Sequence, residues 1–453
     1  MKKYGFGLIF LSILALIACV VITTAFEPLD TLMKPPKIEG ENLEIQLAFE
    51  ENVGENYLLK QPISGSYRSA YSFVDISGDG ENEVVVFYSM NDDLGIVRMN
   101  VLDKINDKWK SVADFESVYH DIEEIAFSDL NGDGDKEIIV GWTVFQNSYS
   151  KLFTVYEVGS DDKDITIYPI YSTYYSMFKI ADFDANGKSD ILALKYAMVG
   201  NSPEYTGTIL SYDENTLKER KSFSLDKSLN SVAAINYDRF DNSLTRIFID
   251  GYKTDSGMIT DCFLWNTADD TFGRAYVGGN SIASLTLRNS SVICKDINSD
   301  GLIELPREEY LPNTSEDNLS CGSNDLGMSK ITWFWFYGDE TEFVECHMLF
   351  PQYGYSFVLN RHLMDNISVE NDTQNGLVTF YSIKNVYDKI MRNQPLFSIM
   401  TLTDFDLDVI SEISFNYTMV GQIKDKYYYC RVYDAAEEYA ITRKEIKNRI
   451  IAG

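Results

Sequence analysis

The chain has 453 residues, 45% of them apolar and 13% aromatic, enough to bury a substantial core and too much for wholesale disorder. Its 69 acids against 39 bases leave a net charge of −30, which repels nucleic acid and anionic lipid headgroups and argues against either as a partner.

In chain order, Met1-Lys2-Lys3 is followed by an uncharged run from Tyr4 to Phe26, a basic start and apolar stretch that direct export. Leu16-Ile17-Ala18-Cys19 has the form of a bacterial lipobox, with Cys19 as the lipidation site; the alternative is an uncleaved signal anchor, because 23 uncharged residues can span a bilayer. Either outcome holds the protein at the extracellular face of the cell membrane. Pro28, Pro35 and Pro36 then suit a tether, and residues 42–52 predict a short helix with Ile45, Ala48 and Phe49 on one face and Gly54 as its stop. Tyr57 to Lys60 is a candidate strand, placed to close the last repeat of a circular array.

The most informative stretch is Asp129-Leu-Asn-Gly-Asp-Gly-Asp-Lys-Glu137, followed by Ile138, Ile139 and Val140. Oxygen-bearing side chains at positions one, three and five (Asp129, Asn131, Asp133), a glycine at six and an acid at nine (Glu137) can form an oxygen-only cage of the kind calcium requires. An EF-hand closes at position twelve on a helix; here β-branched residues follow position nine, so the loop leads into a strand. The same grammar recurs as Asp75, Ser77, Asp79, Glu83; as Asp182, Asp184, Asn186, Asp190; and as Asp296, Asn298, Asp300, Glu304.

The first three loops begin 54 and 53 residues apart, so another is due near 236. A worn copy stands there: Asn236 and Asp238 keep oxygen at one and three, but Phe240 occupies five, the glycine is missing and Leu244 takes position nine. A period of fifty to sixty residues rich in strand formers is the signature of a β-propeller in which each period supplies one blade. Five periods predict about five four-stranded blades over residues 56–350, after a signal or anchor (1–26) and a tether with helix (27–55).

In the last repeat Trp333, Trp335 and Tyr337 alternate on one strand, either as core or as a platform for sugar rings or a protein partner. Beyond Pro351 the loop grammar stops, and strand-like runs at 355–359, 376–383, 396–401, 410–417 and 427–433 predict a small α+β domain over 351–453. Thr442-x-x-Glu445 signals its final helix. Cys262, Cys294, Cys321, Cys346 and Cys430 lack metal-site spacing and read as buried thiols, with a Cys262 bridge to Cys294 or Cys321 open. Six matches to the glycosylation sequon, from Asn289 to Asn416, carry weight only in a eukaryote.

These loops, their spacing and the strands behind them resemble the FG-GAP or VCBS repeats of integrin-α-type propellers. With Gly65-Ser-Tyr-Arg-Ser-Ala70 ahead of the first loop, the chain is similar to the VCBS-repeat lipoproteins of Gram-positive bacteria. The resemblance implies a calcium-binding extracellular propeller and leaves its activity open.

Of three histidines (His120, His347, His362) none has metal-ligand spacing or a neighbouring nucleophile, and no nucleophile elbow, phosphate loop or dinucleotide fingerprint occurs. Three classes therefore stand. The expected one is a non-catalytic binding, adhesion or scaffold module for an extracellular protein or polysaccharide; the others are an extracellular polysaccharide hydrolase or lyase, which would need a pocket with unpaired acids and a base, and a structural or sensory envelope module.

Overall fold

The structure is a computed structural model that describes residues 40–144, 151–161, 164–200, 202–241, 243–311, 328–386, 389–404 and 416–452. The export signal with Cys19, the proline-rich tether, Cys321 and most of the strand expected over 410–417 lie outside the described residues. Within them the chain is mainly β, built of successive antiparallel sheets, and no helix is long and apolar enough to cross a membrane. It divides into two compact units: residues up to 127 with 138–144 and 156–168, and residues 128–137, 151–155 and everything from 169 on.

In the first unit the expected helix forms over Glu41–Val53. Glu41 and Glu44 lie in its first turn, where acids offset the helix dipole, and Gly54 caps the other end at φ 85°, its N–H donating to Glu50 O. Ile45, Ala48 and Phe49 recur at helical spacing and are buried against Val84, Val86, Leu102 and Trp109. Phe49 is fully buried, with the rings of Tyr57, Tyr71 and Tyr88 set edge-on at 4.9, 6.5 and 5.1 Å.

The helix packs on a sheet in the order Tyr57–Leu59, Glu83–Met90, Asp93–Ile105, Lys108–Glu116. The segment expected to close the last repeat instead joins this first sheet, with Tyr57, Leu58 and Leu59 opposite Met90, Ser89 and Tyr88. The reason is local. Strand Tyr71–Val74 covers the same edge only from Glu83 to Val86, leaving the far half of Glu83–Met90 without a partner until Tyr57–Leu59 fills it.

Three four-stranded meanders follow: Asp121–Ser128, Glu137–Thr143, Lys151–Asp161, Asp164–Tyr175; then Met177–Ala181, Asp190–Val199, Ser202–Asp213, Thr216–Ser224; then Leu229–Arg239, Leu244–Lys253, Met258–Asn266, Thr271–Arg274. In each, the second strand opens with a buried run such as Ile138–Val140, Ile191–Leu194 or Ile247–Ile249.

The separate domain expected beyond Pro351 is not separate. Strand Glu340–Phe350 turns through Pro351–Tyr353 and pairs with Tyr355–Leu359, which takes the C-terminal strand Ile450–Ala452 on its other side, in one sheet with Leu305–Tyr310 and Ser329–Tyr337. A second five-stranded sheet (Ile367–Asp372, Leu377–Val386, Lys389–Thr403, Lys426–Val432, Thr418–Ile423) shares its core, from Leu311 and Cys346 through Phe380 and Phe397 to Ile446. The expected capping box is present: Thr442 and Glu445 bond each other's backbone N–H at the start of helix Arg443–Arg449. Cys262, Cys294, Cys346 and Cys430 are buried free thiols, so the Cys262–Cys294 bridge is not made.

Because Phe49 is the largest of the three helix side chains buried against the first sheet, Phe49→Ala is expected to destabilise the protein by ~3–5 kcal/mol, read as a lowered urea midpoint. A change under ~1 kcal/mol would contradict this packing.

Candidate metal loops and a polar pocket

Each loop lies directly before a strand, which in the first three opens with a run of buried residues, and all four are closed by the same hydrogen bonds. The carboxylate at position one accepts the N–H of the glycine at six: Asp75 from Gly80 (3.2 Å), Asp129 from Gly134 (3.2 Å), Asp182 from Gly187 (3.1 Å), Asp296 from Gly301 (2.9 Å). The side chain at five accepts the N–H at seven, at 2.8, 2.9, 2.7 and 2.8 Å for Asp79, Asp133, Asn186 and Asp300. The acid at nine reaches back to the N–H at two: Glu83 to Ile76 (2.7 Å), Glu137 to Leu130 (2.7 Å), Asp190 to Phe183 (3.0 Å), Glu304 to Ile297 (2.9 Å).

Two features of this coil were not read from the sequence. Position four is left-handed as well as position six: Gly78, Gly132, Ala185 and Ser299 have φ of 68, 81, 64 and 63°. Position two is apolar, and Ile76, Leu130 and Phe183 are fully buried, pinning the coil to the core. The repeated apolar residue was the signal that could have shown it.

The closing acids are buried: Glu83, Glu137, Asp190 and Glu304 are at most 1% exposed. Burial pushes the carboxyls of Glu83 and Glu137 up to about 7 and that of Asp190 to about 6, and it raises Glu304; neighbouring loop acids add repulsion, while the backbone bonds oppose the rise. Asp75 Oδ1 and Glu304 Oε1 are buried without a hydrogen-bond partner. Carboxylate oxygens of Asp182, Asp184 and Asp190 lie within 4.8 Å of one another, as do those of Asp296, Asp300 and Glu304. In the second loop the Asn131 amide bridges Asp133 (2.8 Å) and Glu137 (3.3 Å); in the first, Ser77 Oγ donates to Glu83 (3.3 Å). Crowded, oxygen-only and partly orphaned, these donor sets fit a hard divalent cation.

At the worn repeat the grammar gives way to a hairpin. Asn236 and Asp238 lie inside strand Leu229–Arg239, and Phe240 N–H donates to Leu244 O across the turn. Asp238 is neutralised from within the chain: Arg246, 1% exposed, donates to it through Nε (2.8 Å) and Nη2, and Ile303 N–H donates to the same carboxylate. Phe240 lies under the Arg246 guanidinium (5.4 Å). It stacks on Tyr337 (4.8 Å) and leans on Trp335 (5.8 Å).

That contact splits the aromatic strand. Trp333 is 2% exposed and packs on His347, Phe334 and Phe336 are buried, and only Trp335 and Tyr337 reach the surface, so three rings do not form one platform.

In the second unit, successive repeats are bonded to one another. Ser189 N–H donates to Asp129 O (3.1 Å), Arg239 Nη2 and Thr245 Oγ1 to the carbonyls of Asp182 (2.7 Å) and Phe183 (2.8 Å), and Asn236 Nδ2 to Cys294 O (3.0 Å).

Beside the last loop opens a pocket of about 610 Å³, lined among others by Lys295, Glu345, His347, Glu445, Asn448 and Arg449. His347 is buried, with Nε2 2.8 Å from Glu345 Oε2; burial lowers its pKa, while the Glu345 carboxylate opposes that shift. The sequence showed no partner for this histidine because Lys295, His347 and Arg449 converge only through the sheet that the C-terminal strand completes.

No protein-family model matches the chain, and no curated protein matches it in sequence. Among solved structures it is similar to a hypothetical protein from Leishmania major (TM-score 0.23, 14% identity, 66% of this chain and 91% of that one). It is also similar to a candidate 6-phosphogluconolactonase from Bacteroides uniformis (TM-score 0.29, 11% identity, 75% and 97%). Superpositions this loose carry no argument about function.

Two outcomes follow from the geometry. Arg246→Met leaves Asp238 buried and uncompensated, so a loss of ~3–5 kcal/mol is expected in chemical denaturation, against little change for Asp241→Ala, whose exposed side chain only braces its own turn. The raised carboxyls set a pH dependence of the opposite sign to an ordinary salt bridge. A group with a higher pKa folded than unfolded stabilises below its unfolded value, near 4, and that contribution is lost as pH rises through 6 to 7. In chelator the melting temperature should therefore be higher at pH 5 than at pH 8; a flat profile would show that the closing acids are not held as described.

Proposed function

We propose that this chain is a calcium-binding β-propeller of the FG-GAP or VCBS kind, acting as a non-catalytic binding module at the extracellular face of a membrane. The observation that carries the reading is the fourfold repetition of one loop: the same three closing hydrogen bonds, the same left-handed turns and the same buried ninth-position acid. The repeat-to-repeat bonding along 129–304 and the run of four-stranded meanders support a circular array. Attachment through Cys19 or an uncleaved anchor belongs to the same reading, as does an extracellular protein or polysaccharide partner.

Calcium in the cages would supply the positive charge that the buried acids lack and lock each strand entry. The residues that would hold it are those at positions one, three, five and nine of the loops from Asp75, Asp129, Asp182 and Asp296. The fourth repeat binds none in this reading, since Arg246 already neutralises Asp238. The Asp182 loop is the weakest, because the Arg239 guanidinium lies 3.6 Å from Asp182 Oδ2 and opposes a cation there.

The test is calorimetric titration with calcium. Four ions are expected, with dissociation constants on the order of 10⁻⁴ to 10⁻³ M as in other extracellular modules. Saturating calcium should raise the melting temperature and chelator should reverse it. Asp133→Ala should remove one ion, and Asp241→Ala none. No binding, or a melting temperature indifferent to chelator, would defeat the calcium reading.

A further inference from the structure

Around the pocket beside the last loop, every acid is engaged and the cations are not. Glu345 accepts from His347, Glu445 closes the capping box with Thr442, and Asp296 accepts from the N–H groups of its own loop. Lys295 and Arg449, in contrast, form no ion pair among the described residues. Lys295 lies over the Trp333 ring at 5.8 Å, and the one bond of Arg449 is a long one to Val358 O (3.4 Å). In a chain of net charge −30, two unpaired cations facing one cavity stand against the background. Asn448 adds an amide with no partner among the described residues. The two cations lining this site are therefore free to pair with a ligand, which selects for an anionic group.

The rest of the lining defines the anion further. Glu345 and Glu445 each keep a second carboxylate oxygen, and with Nε2 of His347 taken by Glu345, its Nδ1 is left for a ligand. An anion without O–H groups, such as chloride or sulfate, has no donor to offer these acceptors. A molecule carrying one carboxylate together with several hydroxyl groups satisfies both halves. A volume near 610 Å³ accommodates one or two pyranose rings.

We propose that this pocket binds an acidic sugar, its carboxylate on Lys295 and Arg449 and its hydroxyls on Glu345, Glu445 and His347. The assignment rests on the binding-module reading and names its ligand class; it does not depend on metal in the loops.

The experiment is calorimetric titration of the full-length protein with D-glucuronate, D-glucose and N-acetylalanine, in calcium and separately in chelator. Saturable binding of glucuronate is expected, with glucose at least about tenfold weaker for want of the charge-assisted bonds, and a loss of about tenfold or more in Lys295→Met and in Arg449→Met. Lys295 is exposed and outside the core, so its replacement should leave the melting temperature unchanged; should Arg449→Met lower it, Lys295→Met carries the test alone. Failure of glucuronate to bind, or equal binding by a stably folded Lys295→Met variant, overturns the proposal. N-acetylalanine binding as tightly as glucuronate overturns the sugar assignment. A calcium titration that succeeds while glucuronate fails separates this inference from the broader reading.

Discussion

The carboxylate at the ninth position of each loop is held where it cannot leave. It stands at the entry to a strand whose next residues, such as Val84–Val86 after Glu83 or Ile138–Val140 after Glu137, are fully buried, and it is bonded to a backbone N–H seven residues earlier. Swinging it to solvent would pull the strand end out of the core. The strand entries therefore depend on how a buried acid is neutralised: by a proton, by donors within the coil, or by a cation. Backbone N–H groups supply part of the answer but not all of it, since Glu304 Oε1 is buried without a hydrogen-bond partner.

The fourth repeat shows what replaces the cage. Position nine is Leu244, so no acid needs closing, and the remaining carboxylate at position three, Asp238, receives a guanidinium from Arg246 on the adjoining strand. That guanidinium in turn lies over Phe240, Phe248 and Phe336 and donates to Phe336 O, tying the repeat to the aromatic strand of the next one. A fixed internal cation is insensitive to solution metal, whereas the four intact loops keep a set of oxygens whose charge depends on what surrounds them.

The C-terminal stretch extends the sheet system. Ile450–Ala452 returns to the edge of Tyr355–Leu359, and the short helix ahead of it brings Glu445, Asn448 and Arg449 beside Lys295 and His347, which are distant in sequence. The last loop thus lies next to a polar pocket lined in part by the strand Ile450–Ala452 and the helix before it.

Local chemistry determined what the sequence alone could yield. Asp-x-Asn-x-Asp-Gly with an acid at nine specifies its own coil, since each polar side chain bonds a backbone group within a few residues; the helix Glu41–Val53 and the capping box at Thr442 are equally self-contained. What failed to read out were pairings between distant segments. Tyr57–Leu59 could have joined any open edge and was drawn to the vacant half of Glu83–Met90; Pro351 looked like a boundary because its turn is local, while the sheet and core that bridge it are not. Trp333 and Tyr337 alternate on one strand, yet their surroundings differ because His347 and Phe240 arrive from elsewhere in the chain. The pocket was invisible for the same reason: the sequence lists Lys295, His347 and Arg449 as three separate charges or rings, and only the tertiary arrangement, by spending every nearby acid on another partner, leaves the cations unanswered.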